Sequence, residues 1–313
     1  MSMPTLLDIA VANGSDSVVG LVEEAAQAHP EITLGFARTI RGLNYRTLVR
    51  TAVPHGSGFR DANEGVVASK GTYENRLVET FIFNPRWECD KAVADVDEDG
   101  AEAYIALEAG GIMEGAFQDL CQQFYYGRDA SFGNAKGFPG LLAAYDATNM
   151  VVSAGGTTDA VNTSVWLVRF GPRQVGWVWG NGGELAMDDP RIESIIPDPA
   201  GAPTARMTAY VQELLARPGL QVSSLLSAVR IKLVNATDAG KGLTDDLISS
   251  ALALFPAGTS PDIILMNRRS RRQLQQSRVA VNPTGAPAPV PSEAFNVPIG
   301  VTDAIVNTET LTL

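Results

Sequence analysis

The stretch Asp95-Val96-Asp97-Glu98-Asp99-Gly100 spaces its carboxylates as a calcium loop does, with alternating oxygen ligands and a glycine for the sharp turn. The twelfth position, where a bidentate glutamate would complete the coordination sphere, is Ala106. The acids are therefore assigned to the start of a helix, where the macrodipole favours negative charge. Gly180-Asn181-Gly182-Gly183-Glu184 offers backbone N–H groups, but neither the dinucleotide fingerprint nor the lysine and hydroxyl of a P-loop accompanies it, so it reads as a turn. His29 and His55 each adjoin a proline, and no Gly-x-Ser-x-Gly elbow or Cys–His pairing supplies a nucleophile with a base. Cys89 and Cys121 are too few for a disulfide framework or a four-ligand zinc site and read as buried thiols. The expectation is no catalytic residue, no cofactor and no metal. One dense basic run remains: Arg268, Arg269, Arg271, Arg272 and Arg278. It reads either as a nucleic-acid contact or as a helix face paired with carboxylates, and in an assembly as a contact between copies.

Composition narrows the classes. The chain has 313 residues and 45% hydrophobic content, enough for a substantial core and about two domains. No stretch reaches the roughly 18 apolar residues of a membrane span, and Met1 to Ala10 lacks the layout of a secretory signal, so synthesis in the cytoplasm and no membrane partner are expected. Without secretion the sequons at Asn162 and Asn235 carry no meaning. A net charge of −11 argues against gripping nucleic acid over the whole surface. It suits a surface that stays near DNA without adhering to it. The abundant carboxylates leave an acidic hydrolase as a competing class.

The elements that would position these residues are led by two strand-like runs, Leu43 to Val53 and Thr72 to Phe83, facing each other across a polar turn. Each would reach on the order of 35 Å, too long for a lone two-stranded ribbon in water. Leu43, Tyr45, Val49 and Val53 share one side of the first arm, against Asn44, Arg46 and Arg50; Tyr73, Leu77, Phe81 and Phe83 share one side of the second. Each arm thus has a face seeking cover. With no second sheet nearby in sequence, another copy of the chain is a candidate cover. Before the ribbon, a helix is expected from Asp16 to His29-Pro30.

After it, Ala109, Ile112, Ala116, Phe117, Leu120 and Phe124 recur at helical spacing, predicting a long amphipathic helix from about Ala101 to Tyr125. Gly110, Gly111 and Gly115 each weaken it by ~1 kcal/mol, so packing must hold it. Ser164 to Phe170 and Val175 to Trp179 read as a hairpin around the turn 171–174. Leu220 to Val234 is ambiguous between strand and helix, and Leu243 to Phe255 is helical. Ile263 to Met266 is a buried strand leading into the basic helix. Proline marks 283–291 as an extended connector, and Phe295 to Leu313 regains strand character. The class is α+β, with no internal repeat.

In this order, and in Arg76-Leu-Val-Glu-Thr-Phe-Ile-Phe-Asn-Pro-Arg-Trp-Glu-Cys-Asp90, Met266-Asn-Arg-Arg-Ser-Arg-Arg-Gln-Leu274 and Phe295-Asn-Val-Pro-Ile-Gly300 followed by Thr302-Asp303, the chain resembles the major capsid proteins of tailed bacteriophages. These have the Hong Kong 97-type fold, and the likeness is closer to those of short-tailed phages. The resemblance implies an N-terminal arm (1–40), an extended loop (41–84), a peripheral domain with a spine helix (85–138) and an axial domain with closing strands (139–313). It implies a non-enzymatic shell protein whose copies form pentamers and hexamers around packaged double-stranded DNA, assembled in the host cytoplasm. Leu43, Tyr45, Val49, Tyr73, Leu77, Phe81, Arg268, Arg269, Arg271 and Arg272 are then candidate intersubunit contacts. A portal protein, a decoration protein and a scaffolding protein are implied partners. Since only about forty residues precede the ribbon, the scaffold is expected to be separate. Some relatives weld subunits by a Lys–Asn isopeptide bond; Lys70 lies in the right region, but no partner asparagine is marked, and the bond is not expected. A cellular nanocompartment shell of the same fold is the alternative.

Overall fold

The computed structural model describes residues 27–56, 58–146, 148–183, 186–197, 204–281 and 288–313. The helix expected from Asp16, and most of the proline-rich connector, lie outside the described residues. Along the chain come α1 (Pro30–Thr33), β1 (Ala37–Thr39), β2 (Asn44–Ala52), β3 (Thr72–Glu79), β4 (Arg86–Asp90), α2 (Lys91–Ala94), α3 (Ala101–Tyr126), α4 (Leu141–Tyr145) and β5 (Val151–Ser153). Then follow β6 (Asn162–Val168), β7 (Val175–Trp179), β8 (Ala186–Met187), β9 (Arg191–Ile195), β10 (Met207–Leu215), β11 (Pro218–Val222) and β12 (Ala228–Asn235). The chain closes with α5 (Asp245–Leu252), β13 (Ile263–Met266), α6 (Arg268–Val281), β14 (Glu293–Ala294) and β15 (Val297–Val301).

Four sheets result: a six-stranded one in the order β14-β15-β13-β6-β12-β5, one built on β4-β10-β8 with β9 also on β10, a three-stranded β1-β7-β11, and the ribbon β2-β3. β6 is buried at every position, which suits a central strand covered on both faces. It pairs antiparallel with β12 and β13, whereas β7 pairs with β1 and β11. The hairpin expected from β6 and β7 is therefore not formed: a single bridge, Phe170 to Val175, joins the runs before they part into different sheets. The ambiguous stretch is two strands, β11 and β12, hinged by a short 3-10 turn whose Ser224 caps Leu226 N–H. The last segment is strand only over β15; beyond it one bridge, Asn162 to Glu309, returns the chain to the edge of β6.

Spine-like α3 spans 26 residues, about 39 Å, and serves two cores. Its C-terminal half puts Leu120, Cys121, Phe124 and Tyr125 into the main cluster with Trp166 and Trp177. Its N-terminal half puts Tyr104 and Ile105 into a small cluster with Trp87 and Cys89 of β4 and Ala94 of α2. Gly127 ends the helix at φ +58, a conformation that suits glycine, and a side chain there would strike Gly140. In the acidic lead Asp97 accepts Asp99 N–H, no side chain caps the helix at Gly100, and Glu102 lies in its first turn, where the macrodipole favours negative charge.

Candidate functional site

The ribbon register decides what each arm presents. Tyr45 faces Val78, Thr47 faces Arg76, Arg46 faces Leu77 and Arg50 faces Tyr73. Directly opposed residues share a face, so the two apolar sides read from the sequence lie on opposite faces of the ribbon. One face, with Tyr45, Val49, Arg76 and Val78, turns toward the body and is half-buried or buried apart from Glu74. There Tyr45 Oη donates to Gln221, and an Arg76 guanidinium N–H donates to Ser223 O at 3.1 Å. The base is also clamped in cis, by Phe81 N–H to Pro218 O and Phe83 N–H to Ala216 O, both 2.9 Å. Part of the cover for which another copy was a candidate is thus supplied by the same chain, from β11 and the residues flanking it.

The other face looks outward. Leu48, Tyr73 and Leu77 are 65%, 53% and 49% exposed and lie diagonal to one another, with Arg46 and Arg50 between them. The Arg50 guanidinium lies 5.3 Å from the Tyr73 ring centre. Leu48 was missed in the sequence because alternation placed it on the side of Asn44, Arg46 and Arg50. Leu43, just before β2, is also exposed. Phe81 instead packs against the main core, with Arg128 4.9 Å from its ring centre. Beyond the strands, residues 53–56 and 58–70 are exposed throughout.

A second unsheltered surface lies on α3. Its exposed positions carry Ala103, Ala106, Leu107, Gly110, Gly111 and Gly115 between the acids Glu102 and Asp119, a run of small and apolar residues where a soluble helix ordinarily places more charge. A Cβ at any of the three glycines would meet nothing within 4 Å, so nothing inside the described chain requires glycine there. Beside this face a groove of about 620 Å³ separates α3 from β10, lined by Ala101, Ile105, Ala106, Ala109, Tyr210 and Gln212 among others. Gln212 is buried, and its Oε1 has no hydrogen-bond partner among the described residues.

The arginine helix divides its residues. Arg268 pairs with Asp303 at 2.8 Å, Arg269 donates to Val161 O at 2.9 Å, and Arg278 grips Asp245 through two bonds of 2.7 and 2.8 Å. Arg268 and Arg278 take the carboxylate-paired reading, whereas Arg269 bonds a main-chain carbonyl instead. Exposed Arg272 and half-buried Arg271 form no ion pair among the described residues.

No sequence signal marked the buried polar network around Glu309. Glu309 accepts from Tyr126 Oη at 2.7 Å and Ser164 Oγ at 2.6 Å, and its Oε2 lies 3.4 Å from the Arg230 guanidinium. Arg230 also donates to Ser164 at 2.9 Å and lies 5.6 Å from the Trp166 ring centre. The network ties the end of the chain to β6, β12 and the end of α3. Asn162 and Asn235 are buried within 2.9 Å of each other, which removes both sequons from the surface.

Both cysteines are buried thiols, as expected. Burial, aided by the charges of Asp90 and Glu108, pushes Cys89 up to about 11, and deeper burial pushes Cys121 higher still. Neither should be thiolate at neutral pH, so a thiol-reactive dye should label the native protein at neither site and both sites once urea unfolds it. Fast native labelling would contradict this burial.

A family profile described as major capsid protein GP7 matches residues 26–312. The chain is similar to the near-atomic structure of bacteriophage Epsilon15, with a TM-score of 0.74 at 20% identity, covering 99% of this chain and 97% of that one. It is also similar to a chain of Mycobacterium phage Cain, with a TM-score of 0.47 at 12% identity, covering 76% and 100% of the two chains. For the holo-SrpI encapsulin complex of Synechococcus elongatus PCC 7942 the TM-score is 0.47 at 10% identity, covering 76% and 98%. A search of curated protein sequences returned no match. A profile match over nearly the whole length places the chain in the family of major capsid protein GP7, the tailed-phage shell proteins of Hong Kong 97-type α+β fold.

Proposed function

We propose that the outward face of the ribbon is the principal contact by which copies of this chain build an icosahedral head shell, and that its seat is the uncovered face of α3 in a neighbouring copy. The observation that carries the reading is the opposite charge of the two segments. Residues 41–76 hold six basic side chains (Arg41, Arg46, Arg50, Arg60, Lys70, Arg76) against three acids, in a chain whose net charge is −11. Residues 92–127 hold eight acids and no lysine or arginine. Opposite charge would steer and register the encounter, while burial of Leu48, Tyr73 and Leu77 over small helix residues would supply most of the affinity, at ~25 cal/mol per Å² of apolar surface. A ribbon backbone laid over glycines could approach closely and offer an N–H to Gln212 Oε1. Each subunit would both give and receive a ribbon, so modest energy per contact suffices in a closed shell.

Arg271 and Arg272 are proposed as further contacts between copies. Leu43 is assigned to the rim of the ribbon contact, and Tyr45, Val49 and Phe81 to fixing the angle at which the ribbon leaves its own body. Packaged DNA would meet the shell by weak, non-specific contact, with scaffolding, portal and decoration proteins as further partners in the virion, and assembly in the host cytoplasm. The test is electron microscopy of the expressed protein, alone and with a candidate scaffold. Closed particles without an enzyme inside support the reading. Particles enclosing an enzyme cargo favour the nanocompartment shell, and a stable monomer under all conditions overturns both.

A further inference from the structure

Residues 27–36 form a strap across the inner end of α3. Gln27 N–H donates to Glu114 Oε1 at 2.8 Å, and the His29 ring lies between Glu114 at 3.1 Å and Cys121 Sγ at 3.4 Å. Glu31, in the short helix α1, goes furthest in and is fully buried. Tyr125 Oη donates to its Oε1 at 2.6 Å, while Trp177 Nε1 donates to its main-chain oxygen at 2.9 Å. Its Oε2 has no hydrogen-bond partner among the described residues.

The groups around this carboxyl come from every element packed on it. From α3 there are Tyr125 and Cys121, both kept neutral by burial, with Glu114 nearby but engaged by His29. β7 contributes Trp177, the C-terminal segment contributes Thr302, and neither carries charge. No lysine or arginine pairs with Glu31 among the described residues. A carboxylate here would be a buried negative charge with no cation, an arrangement that strongly favours the neutral acid.

We propose that the strap is a proton-gated latch, seated while Glu31 is a neutral acid and lifted when that acid gives its proton to water. In the lifting step the carboxyl O–H bond breaks, the proton passes to water and the electron pair stays on the carboxylate, which gains hydration outside. Desolvation raises the seated acid above the ordinary carboxylate range. Seating is therefore fully favoured below the ordinary carboxylate range, weakens by about tenfold per pH unit as pH rises above that range, and levels off once pH has passed the raised value. Such a strap would hold the start of the described chain to α3 and β7 in an acidic medium and free it in an alkaline one.

The test is hydrogen–deuterium exchange of the full-length protein from about pH 5 to about pH 9, corrected for the intrinsic pH dependence of exchange. Peptides from residues 27–36 and 173–179 should lose protection steeply with rising pH, while α5 and β13 keep theirs. Glu31→Gln should hold the strap seated across the whole range, and His29→Asn should keep the wild-type pH dependence. A wild-type strap with flat protection overturns the latch without any variant. So does a Glu31→Gln strap that tracks wild type, or a His29→Asn strap that loses the dependence, since the last would assign the switch to the His29–Glu114 pair.

Discussion

Replacing Leu48 and Leu77 together by glutamate should give a soluble, folded subunit that no longer assembles. Both side chains are about half exposed or more in the isolated chain, so their loss empties no core and stability should change by less than about 1 kcal/mol. In the shell each leucine is worth roughly 1.5–3 kcal/mol when buried, and each glutamate would instead set an acid against the acids of α3. The loss recurs at every ribbon, so particles should be absent, not merely weaker. Sedimentation velocity checks assembly, and circular dichroism checks the fold. Tyr45→Phe is the paired comparison: it removes the Gln221 bond on the body face and should loosen the base of the ribbon without removing its outward patch. Normal particles from the double variant would mean that the outward face is not the contact.

The largest stability effect is expected at Glu309. Glu309→Ala should destabilise the subunit by about 3 kcal/mol, because it removes the buried carboxylate that pairs with Arg230 and leaves the Tyr126 and Ser164 hydroxyls short of an acceptor. Arg230 is 1% exposed and would keep Asp146, 4.0 Å from one of its terminal nitrogens and without a hydrogen bond to it, as its remaining carboxylate partner. Removing both charges, as Arg230→Met with Glu309→Leu, should recover most of that loss, since a well-packed apolar pair avoids the desolvation of two ions. Urea midpoints at unchanged slope measure both. A Glu309→Ala loss below about 1 kcal/mol would show that the network is hydrated in solution.

What the sequence made legible follows from how local each signal is. α3 was read within a residue of its end, because Leu120 and Phe124 at helical spacing enter the core and Gly127 stops the helix. α5 and β13 were legible for similar reasons, and so was the existence of the ribbon. Its register was not. Moving a strand by one residue exchanges its faces, and nothing within either arm states which residue lies opposite Tyr45; that is set by β11 beneath the base. For the same reason Leu48 was assigned to the polar side. β6 and β7 were read as partners because they adjoin in sequence, yet β6 pairs with β12 and β13, more than sixty residues further on by number. The Glu309–Arg230 pair lies 79 positions apart and has no motif. Packing across such distances, and not spacing, brings those residues together.

The claim on which the account rests is that the ribbon of one copy lies on α3 of another. Particles should be assembled from a mixture of unlabelled and nitrogen-15-labelled subunits and treated with a zero-length amine–carboxyl coupler. Lys70, which is exposed near the ribbon tip, should then join to the acidic lead and first turns of α3, at Asp97, Glu98, Asp99 or Glu102. Joined peptides carrying one light and one heavy half are the predicted result. Cross-links confined to matching labels, or none from Lys70 to this acidic segment, would contradict it.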